Sequence, residues 1–596
     1  MKKRLRRFWK IILIWILLNV AAIVGYLIWY GNRQDDILKE EQIQMNAIKG
    51  ENREITGKKY DPELAVVCDN GTFVGQQKNE VLSFRGIPYA KPPVGDLRWK
   101  RPVDAEPSDG VYEAYYYGKS PIQTDAETER ASLYVQGEDC LTLNVWSSAD
   151  MDASDDGPRA VMVFFPGGGY GWGGTADPIY DGQNFVQAHR DIVLVTANYR
   201  IGMMGFADFS GVKGGEAYEG SGNLGLLDQV SALRWVRRNI AGFGGDPGNV
   251  TIFGESAGGS SVSLLPVMDE AKGLFRRVIA QSGSVAFTYS KEECSYFTDM
   301  LLKEAKASSM KDLAALSEQD LMKLNEKLND YNNFPERDGV ILPEDLYGAY
   351  ESGGAAGIDM LSGTNADEAR YWIGEVGGYP VYRLVARLLY GSLRERFREE
   401  DRNYADAFLA LQQEGTPWNT TEFFNDLLFR GPAIRQAQAH AESGGTHYMY
   451  YWTKPSTIPN YGACHAVELS YVFNNTQDTI FTGDPADPKL AQTVQQMWVN
   501  FAKTGNPSVD GHAWKPYERV DRWTMELGDD IVLTSDPLEE QRVLIEPLLE
   551  YRMNGYYRMF DFVLIYTRNR LIHYLLIILG VNAAAALFIL IRKKLK

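Results

Sequence analysis

An α/β fold is predicted for this 596-residue chain, and three observations predict it. Apolar strand-like runs alternate with amphipathic helical stretches such as 292–328. An apolar, mostly β-branched run (Val250, Thr251, Ile252, Phe253) breaks into Gly254-Glu255-Ser256-Ala257-Gly258 and then a small-residue, helix-compatible segment. That pattern reads strand, sharp turn, helix. No repeat or low-complexity tract interrupts the body.

Upstream of the turn, Leu226, Leu227, Val230, Leu233, Val236 and Ile240 recur at helical spacing after Asn223, a cap residue type. Gly242, Gly244, Gly245, Asp246, Pro247 and Gly248 then end the helix. A serine at the turn has its hydroxyl pushed to the top of a sheet, while flanking glycines let the backbone turn tightly. Ser256 is therefore the candidate nucleophile. With 57 glycines in the chain the pentapeptide alone is a weak signal, and its surroundings give it weight.

Those surroundings resemble the type-B carboxylesterase and cholinesterase family. The segment 242–259 (GFGGDPGNVTIFGESAGG) matches the family's nucleophile region, and further blocks recur in order. They are FRGIPYAKPPVG from Phe84, EDCLTLNVW from Glu138, GGGY from Gly167, QSGS from Gln281 and FAKTGNP from Phe501. The similarity runs over roughly residues 61–550. It implies an α/β-hydrolase fold, with a large, twisted, mostly parallel central sheet flanked by helices, forming one domain over 61–560.

A serine hydroxyl is a weak nucleophile and needs a base, which in turn needs a carboxylate to fix its tautomer. The family order is serine, acid, histidine, leaving five of the six histidines. His573 lies in an apolar run. His440 and His447 flank a Gly-Gly turn and His512 sits among polar loop residues, so each reads as a surface or turn histidine. His465 lies in GACHAVEL, similar to the family's G-x-x-H-x-x-E block, which implies that it is the base. For the acid, Asp367 and Glu368 stand side by side after Leu361-Ser362-Gly363-Thr364-Asn365, and sequence physics leaves both open. The resemblance to G-x-N-x-D-E implies Glu368.

The oxyanion of an acyl-transfer intermediate needs N–H donors fixed in advance, each worth about 3 kcal/mol of barrier. Gly167-Gly168-Gly169 follows the apolar run 161–165, at a strand end. The resemblance implies that Gly168 and Gly169 donate together with Ala257. Pro166 stands where the family usually has His or Tyr, which predicts a differently shaped approach to this loop.

The implied function is hydrolysis of a small-molecule carboxylic ester through an acyl-enzyme, with no cofactor. Cholinesterases carry a choline-binding tryptophan shortly before the E-D-C cysteine, and 128–137 contain none, so choline esters are not expected. Tyr170, Trp172 and Tyr180 are candidates to line an acyl or alcohol pocket, or to be core. Two rival readings use the same fold: a non-catalytic surface-binding protein, and a membrane-tethered serine peptidase or acyltransferase, since a triad does not encode its leaving group. Gly118-Lys119-Ser120 ends like a phosphate loop, but Glu113 occupies the required glycine position. No metal-ligand spacing appears.

Residues 11–30 are free of formal charge, follow six Lys and Arg in 1–10, and would span about 30 Å as a helix. A second uncharged run, 571–591, precedes Arg592, Lys593, Lys594 and Lys596. Both are predicted to be transmembrane helices, the first an uncleaved anchor. The positive-inside rule puts both termini, 1–10 and 592–596, in the cytoplasm and the catalytic body outside the cell membrane. Residues 31–60 read as a polar linker.

The chain carries 61 basic and 78 acidic residues, a net −17. Ten of the basic residues lie at the two ends, so 51 face 78 in the remainder, a charge of −27. Such a body argues against nucleic acid as a partner, and nothing in the sequence names a protein partner. The four cysteines do not form a disulfide framework, and 100–139 hold no partner for Cys140, so no disulfide is predicted.

Overall fold

A computed structural model describes residues 10, 13–22, 24–25, 50–57, 59–123, 135–150, 157–328, 334–371, 390–391, 393–411, 418–553, 578 and 580–582. Its frame is a sheet of eleven strands: β1 (Gln76–Lys78), β2 (Val81–Pro88), β3 (Thr142–Ser148), β4 (Arg159–Phe165), β5 (Ile192–Ala197), β6 (Gly245–Glu255), β7 (Arg277–Gln281), β8 (Asp359–Asn365), β9 (His447–Trp452), β10 (Trp523–Leu527) and β11 (Ile531–Ser535). The spatial order is β11-β10-β9-β8-β7-β6-β4-β5-β3-β2-β1. From β5 through β10 every pairing is parallel, and the pairings at both edges are antiparallel.

Val161 through Phe165 are all inaccessible to solvent, although successive side chains of a strand point to opposite faces. Both faces of the sheet are therefore covered, the condition in which parallel strands read as continuous apolar runs. Helices α1 (Leu224–Asn239), α2 (Ala257–Leu264), α3 (Gly431–Glu442) and α4 (Pro488–Thr504) supply part of that cover. α4 starts where the sequence allows it to: Asp487 caps the N–H groups of Lys489 and Leu490, Pro488 has no N–H that would need an acceptor, and Gly505 at φ +80° ends the helix. Phe164 meets Phe253, Tyr180 and Phe473 in an aromatic core under the nucleophile strand.

Several expectations are modified. α1 begins after Asn223, but the Asn223 side chain caps nothing and instead holds the backbone of Glu336. The stretch 292–328 is three helices, Lys291–Ala305, Met310–Ala314 and Glu318–Lys327, because Lys306 turns to φ +55° and Ser309 and Ser317 start new helices. The end of the polar stretch 31–60 is tied to the body: Asn52 hydrogen-bonds the backbone of Arg85, Tyr115 and Tyr116, and Ile55 N–H donates to Val111. All four cysteines are buried free thiols.

Among the described residues no helix is long and apolar enough to cross a membrane. Most of 1–30, the segment 31–49 and most of 571–596 lie outside the described residues, so the topology read from the sequence rests there on the sequence alone.

Candidate active site

The strands β4, β6, β7, β8 and β9 end in register at one edge: Phe165 beside Gly254, Glu255 beside Gln281, Gln281 beside Gly363, and Asn365 beside Trp452. Parallel sheets carry their sites at this carboxyl edge. All candidate residues but one stand within four residues of a strand end; His465 comes in on a longer loop.

Ser256 follows β6 at φ +57°, ψ −120°, a conformation an L-residue holds only when its surroundings enforce it. They do so by close packing. A methyl built on Gly258 would stand 2.0 Å from the carbonyl oxygen of Phe165, and one on Gly254 would stand 2.5 Å from the backbone of Gly258. Only glycine fits on either side, so α2 can start directly against the sheet. The Ser256 N–H donates to Gln281 O at 2.8 Å, which ties the elbow to β7.

His465 is buried, its Nε2 faces Glu255, the residue before Ser256, and its Nδ1 lies 2.5 Å from Glu368 Oε2. The second oxygen of Glu368 accepts the N–H of Asn365 at 2.8 Å, so this wholly buried carboxylate is held at both ends. Asp367 points elsewhere. Its carboxylate accepts the N–H of Ala463 at 2.8 Å and pairs with Arg370 at 2.7 Å. Of the two acids that the sequence left open, Glu368 faces the imidazole.

Two further carboxylates belong to the site. Glu255 Oε1 stands 3.1 Å from His465 Nε2. Burial pushes the imidazole pKa down, but the negative charges of Glu255 and Glu368 outweigh it and hold the ring up at about 9. Glu468 accepts from Asn365 Nδ2 at 2.7 Å and Gln281 Nε2 at 3.0 Å, bridging the ends of β7 and the acid strand β8. Burial raises its own pKa, so it leans towards the neutral acid. Both residues sit inside motifs already quoted, Glu255 within G-E-S-A-G and Glu468 within H-A-V-E. Those patterns fix neighbours of the reacting groups as well as the groups themselves.

The glycine loop lies over the elbow. A methyl on Gly167 would come within 3.1 Å of Ser256 Cβ, and Gly168, Gly169 and Tyr170 all have positive φ, at 106°, 56° and 57°. The N–H groups of Gly171 and Trp172 close the turn on Gly168 O at 2.9 and 3.0 Å. Among the described residues no hydrogen bond takes up the N–H of Gly168, Gly169 or Ala257, which leaves these three donors without an acceptor in the loop and at the start of α2. At the entry to this loop the carbonyl of Pro166 accepts from Tyr199 Oη at 2.6 Å.

Tyr170 and Tyr180 are core residues. Tyr170 packs against Phe206 and Phe334 and bonds Ser261, and Tyr180 lies under Phe164. Trp172 is half-buried beside Gly168 and Gly169, and Phe429, within a π-helical turn (Asp426–Arg430), packs tilted against the His465 ring with centroids 5.0 Å apart. No local pattern marks that turn.

His440 and His447 correct the reading made for them. Neither is a surface residue; both are inaccessible to solvent, with their Nδ1 atoms 3.2 Å apart. The Gly-Gly turn folds back over the pair, so a methyl on Gly445 would be 2.2 Å from His440 Nε2.

Comparison with known proteins agrees with the fold and chemistry just described. The carboxylesterase family model matches residues 62–544. The chain is 35% identical to a para-nitrobenzyl esterase of Bacillus subtilis, over 81% of this chain and 98% of that protein. It is 32% identical to a liver carboxylesterase of Sus scrofa, over 74% and 84%. The solved structure of a thermophilic para-nitrobenzyl esterase superposes with a TM-score of 0.71 at 33% identity, covering 81% of this chain and all of that one. The chain belongs to the carboxylesterase family and is a serine-type carboxylic ester hydrolase on an α/β-hydrolase-like fold.

Proposed function

We propose that Ser256, His465 and Glu368 form the catalytic triad, with the N–H groups of Gly168, Gly169 and Ala257 as the oxyanion hole. Ser256 Oγ attacks the ester carbonyl carbon while His465 Nε2 takes its proton. The carbonyl oxygen becomes an oxyanion held by the three N–H groups. Collapse of the intermediate expels the alcohol, which leaves with the proton from His465. Water then attacks the acyl-enzyme with His465 again as base, releasing the acid and restoring Ser256. Glu368 holds the proton on Nδ1, so that in the neutral ring Nε2 is the atom that accepts.

The observation that carries this reading is the contact of His465 Nδ1 with Glu368 Oε2 at 2.5 Å, with Nε2 of the same ring facing Glu255, the residue before a serine held at φ +57°. The test is hydrolysis of short-chain p-nitrophenyl esters by the full chain and by Ser256→Ala. We expect kcat to fall by about 10⁶-fold in the variant. A variant as active as the wild type would assign the nucleophile elsewhere. A small or aryl ester is the substrate class this reading favours, supported by the similarity to para-nitrobenzyl esterase.

The body is further read as extracytoplasmic, anchored by 11–30 and 571–591 with 1–10 and 592–596 in the cytoplasm. The charge-free runs and their basic flanks support this. Protease added to intact cells should remove the body; a protected body would overturn the topology.

A further inference from the structure

Resting on that membrane reading, we propose that the two chain ends form one paired anchor. The helix at 13–22 packs against the carboxyl-terminal apolar run of the same chain, at Asn582, through a polar seam of Trp15, Asn19 and Asn582.

The first ground is an inside-out helix. Residues 13–22 are helical, and Leu13, Ile14, Leu17, Leu18 and Val20 are each more than half exposed, whereas Asn19 is 6% exposed. A helix in water hides its apolar side chains and shows its asparagines. This helix does the reverse, which is the arrangement of a helix in hydrocarbon, where the polar side chain is the one that seeks a protein partner.

The partner is the other end of the chain. Trp15 Nε1 donates to Asn582 Oδ1, a bond between residues 567 positions apart. The two asparagines are used alike. Asn19 Nδ2 donates to Trp15 O at 2.8 Å and Asn582 Nδ2 to Ile578 O at 2.6 Å, each reaching back one turn on its own helix. Each amide oxygen is thereby turned off its own helix. That of Asn582 takes the indole of Trp15, and that of Asn19 is buried without a partner on the same face, since Trp15 and Asn19 are one turn apart.

The sequence agrees independently. At 1.5 Å per residue Asn19 stands about 12 Å inside Ile11, and Asn582 about 14 Å inside Ile591. With both termini on one side, the two asparagines fall at the same depth, near the middle of the bilayer. There an amide has no water and gains most from a neighbour.

The test is thiol cross-linking of the full chain in native membranes, with a protease site inserted between residues 31 and 49. Trp15→Cys with Asn582→Cys should cross-link with a short bis-maleimide at least several-fold more than Leu17→Cys with Asn582→Cys, whose position 17 lies on the far side of the helix. After cleavage the amino-terminal fragment should stay attached to the body at the mass of a single chain. The four native cysteines are buried, and single-cysteine variants report their background. Ester hydrolysis by every variant shows that the body is folded. Protein that resists carbonate extraction but cross-links equally at 15 and 17, at neither, or only between chains overturns the pairing. Protein released by carbonate overturns the membrane reading and the pairing with it.

Discussion

Two buried histidine sites in this molecule have opposite electrostatics. His465 touches Glu368 through Nδ1 and faces Glu255 through Nε2, and its pKa is raised. His440 and His447 are buried as deeply but touch each other, the carbonyl of Ala355 at 3.0 Å and the hydroxyl of Ser362 at 2.7 Å. Burial drives both of their pKa values down, and that of His447 is pushed down further by its neighbour His440. Burial disfavours the imidazolium in each place, so the sign is decided by whether carboxylates stand against the ring. The pair also has a single proton order. Ala355 O only accepts, so His440 Nε2 carries its proton; His440 Nδ1 then accepts from His447, whose Nε2 accepts from Ser362. Such a chain is a satisfied core element, whereas His465 is poised to change charge.

Removing the carboxylate that orients His465 breaks the comparison most severely. In Glu368→Gln the side-chain oxygen should stay on the N–H of Asn365, which holds Glu368 Oε1 at 2.8 Å in the native protein. The amide NH₂ then faces His465 Nδ1 and drives the ring proton to Nε2, the wrong tautomer to accept from Ser256. We expect kcat to fall by about 10⁴-fold, with an unchanged circular dichroism spectrum. Retention of more than a tenth of the activity would show that Glu368 does not set the tautomer.

Glu255→Gln sharpens the comparison by moving His465 towards the carboxylate-free case. The base must be neutral to take the serine proton, so a raised pKa moves the acid limb of kcat/KM to higher pH. The wild-type limb should lie above 6.5, the ordinary imidazole value. The variant's limb should lie lower, so that its relative activity below neutrality rises. A limb that does not move would mean that Glu255 exerts no field on the reacting ring.

The histidine pair is expected to act on stability and leave chemistry alone. Each ring is neutral in the folded protein and takes up a proton near pH 6.5 when unfolded. The unfolded state therefore binds more protons below that pH, and stability rises with pH there. The contribution is complete above 6.5 and is lost as pH falls towards the depressed folded values, at about 1.4 kcal/mol per pH unit for each histidine. Urea unfolding at pH 5 and pH 8 should show this slope in the wild type and a smaller one in His447→Gln. Equal slopes would mean that the pair does not resist protonation.

Much of the site was legible in the sequence because close packing writes itself as glycine. Gly254 and Gly258 are required by contacts of 2.5 Å and 2.0 Å, so the elbow shows as G-x-S-x-G, and Gly168 and Gly169 mark the positive φ values of the loop above it. The stretch 292–328 reads as continuous, although S-x-x-D at Ser317 marks a helix start inside it and is a capping box in the structure. What depends on the direction of a side chain was not legible. Nothing local distinguishes a Gly-Gly turn in solvent from one folded over His440, and nothing in its pattern marks Asp426–Arg430 as the turn that brings Phe429 to His465.

Asp367 and Glu368 are the sharpest instance, and the smallest predicted effect. They are adjacent in sequence and equally able to orient an imidazole, but the turn after β8 sends one to His465 and the other to Ala463 and Arg370. In Asp367→Asn the amide oxygen can still accept the N–H of Ala463, and what is lost is the pair with Arg370, whose guanidinium also stacks on Trp418 at 4.4 Å. A partly exposed pair of this kind is worth about 1 kcal/mol. Even if all of it reached the barrier, kcat would change by less than about tenfold. A loss near the 10⁴-fold expected for Glu368→Gln would make Asp367 the orienting acid and reverse the assignment.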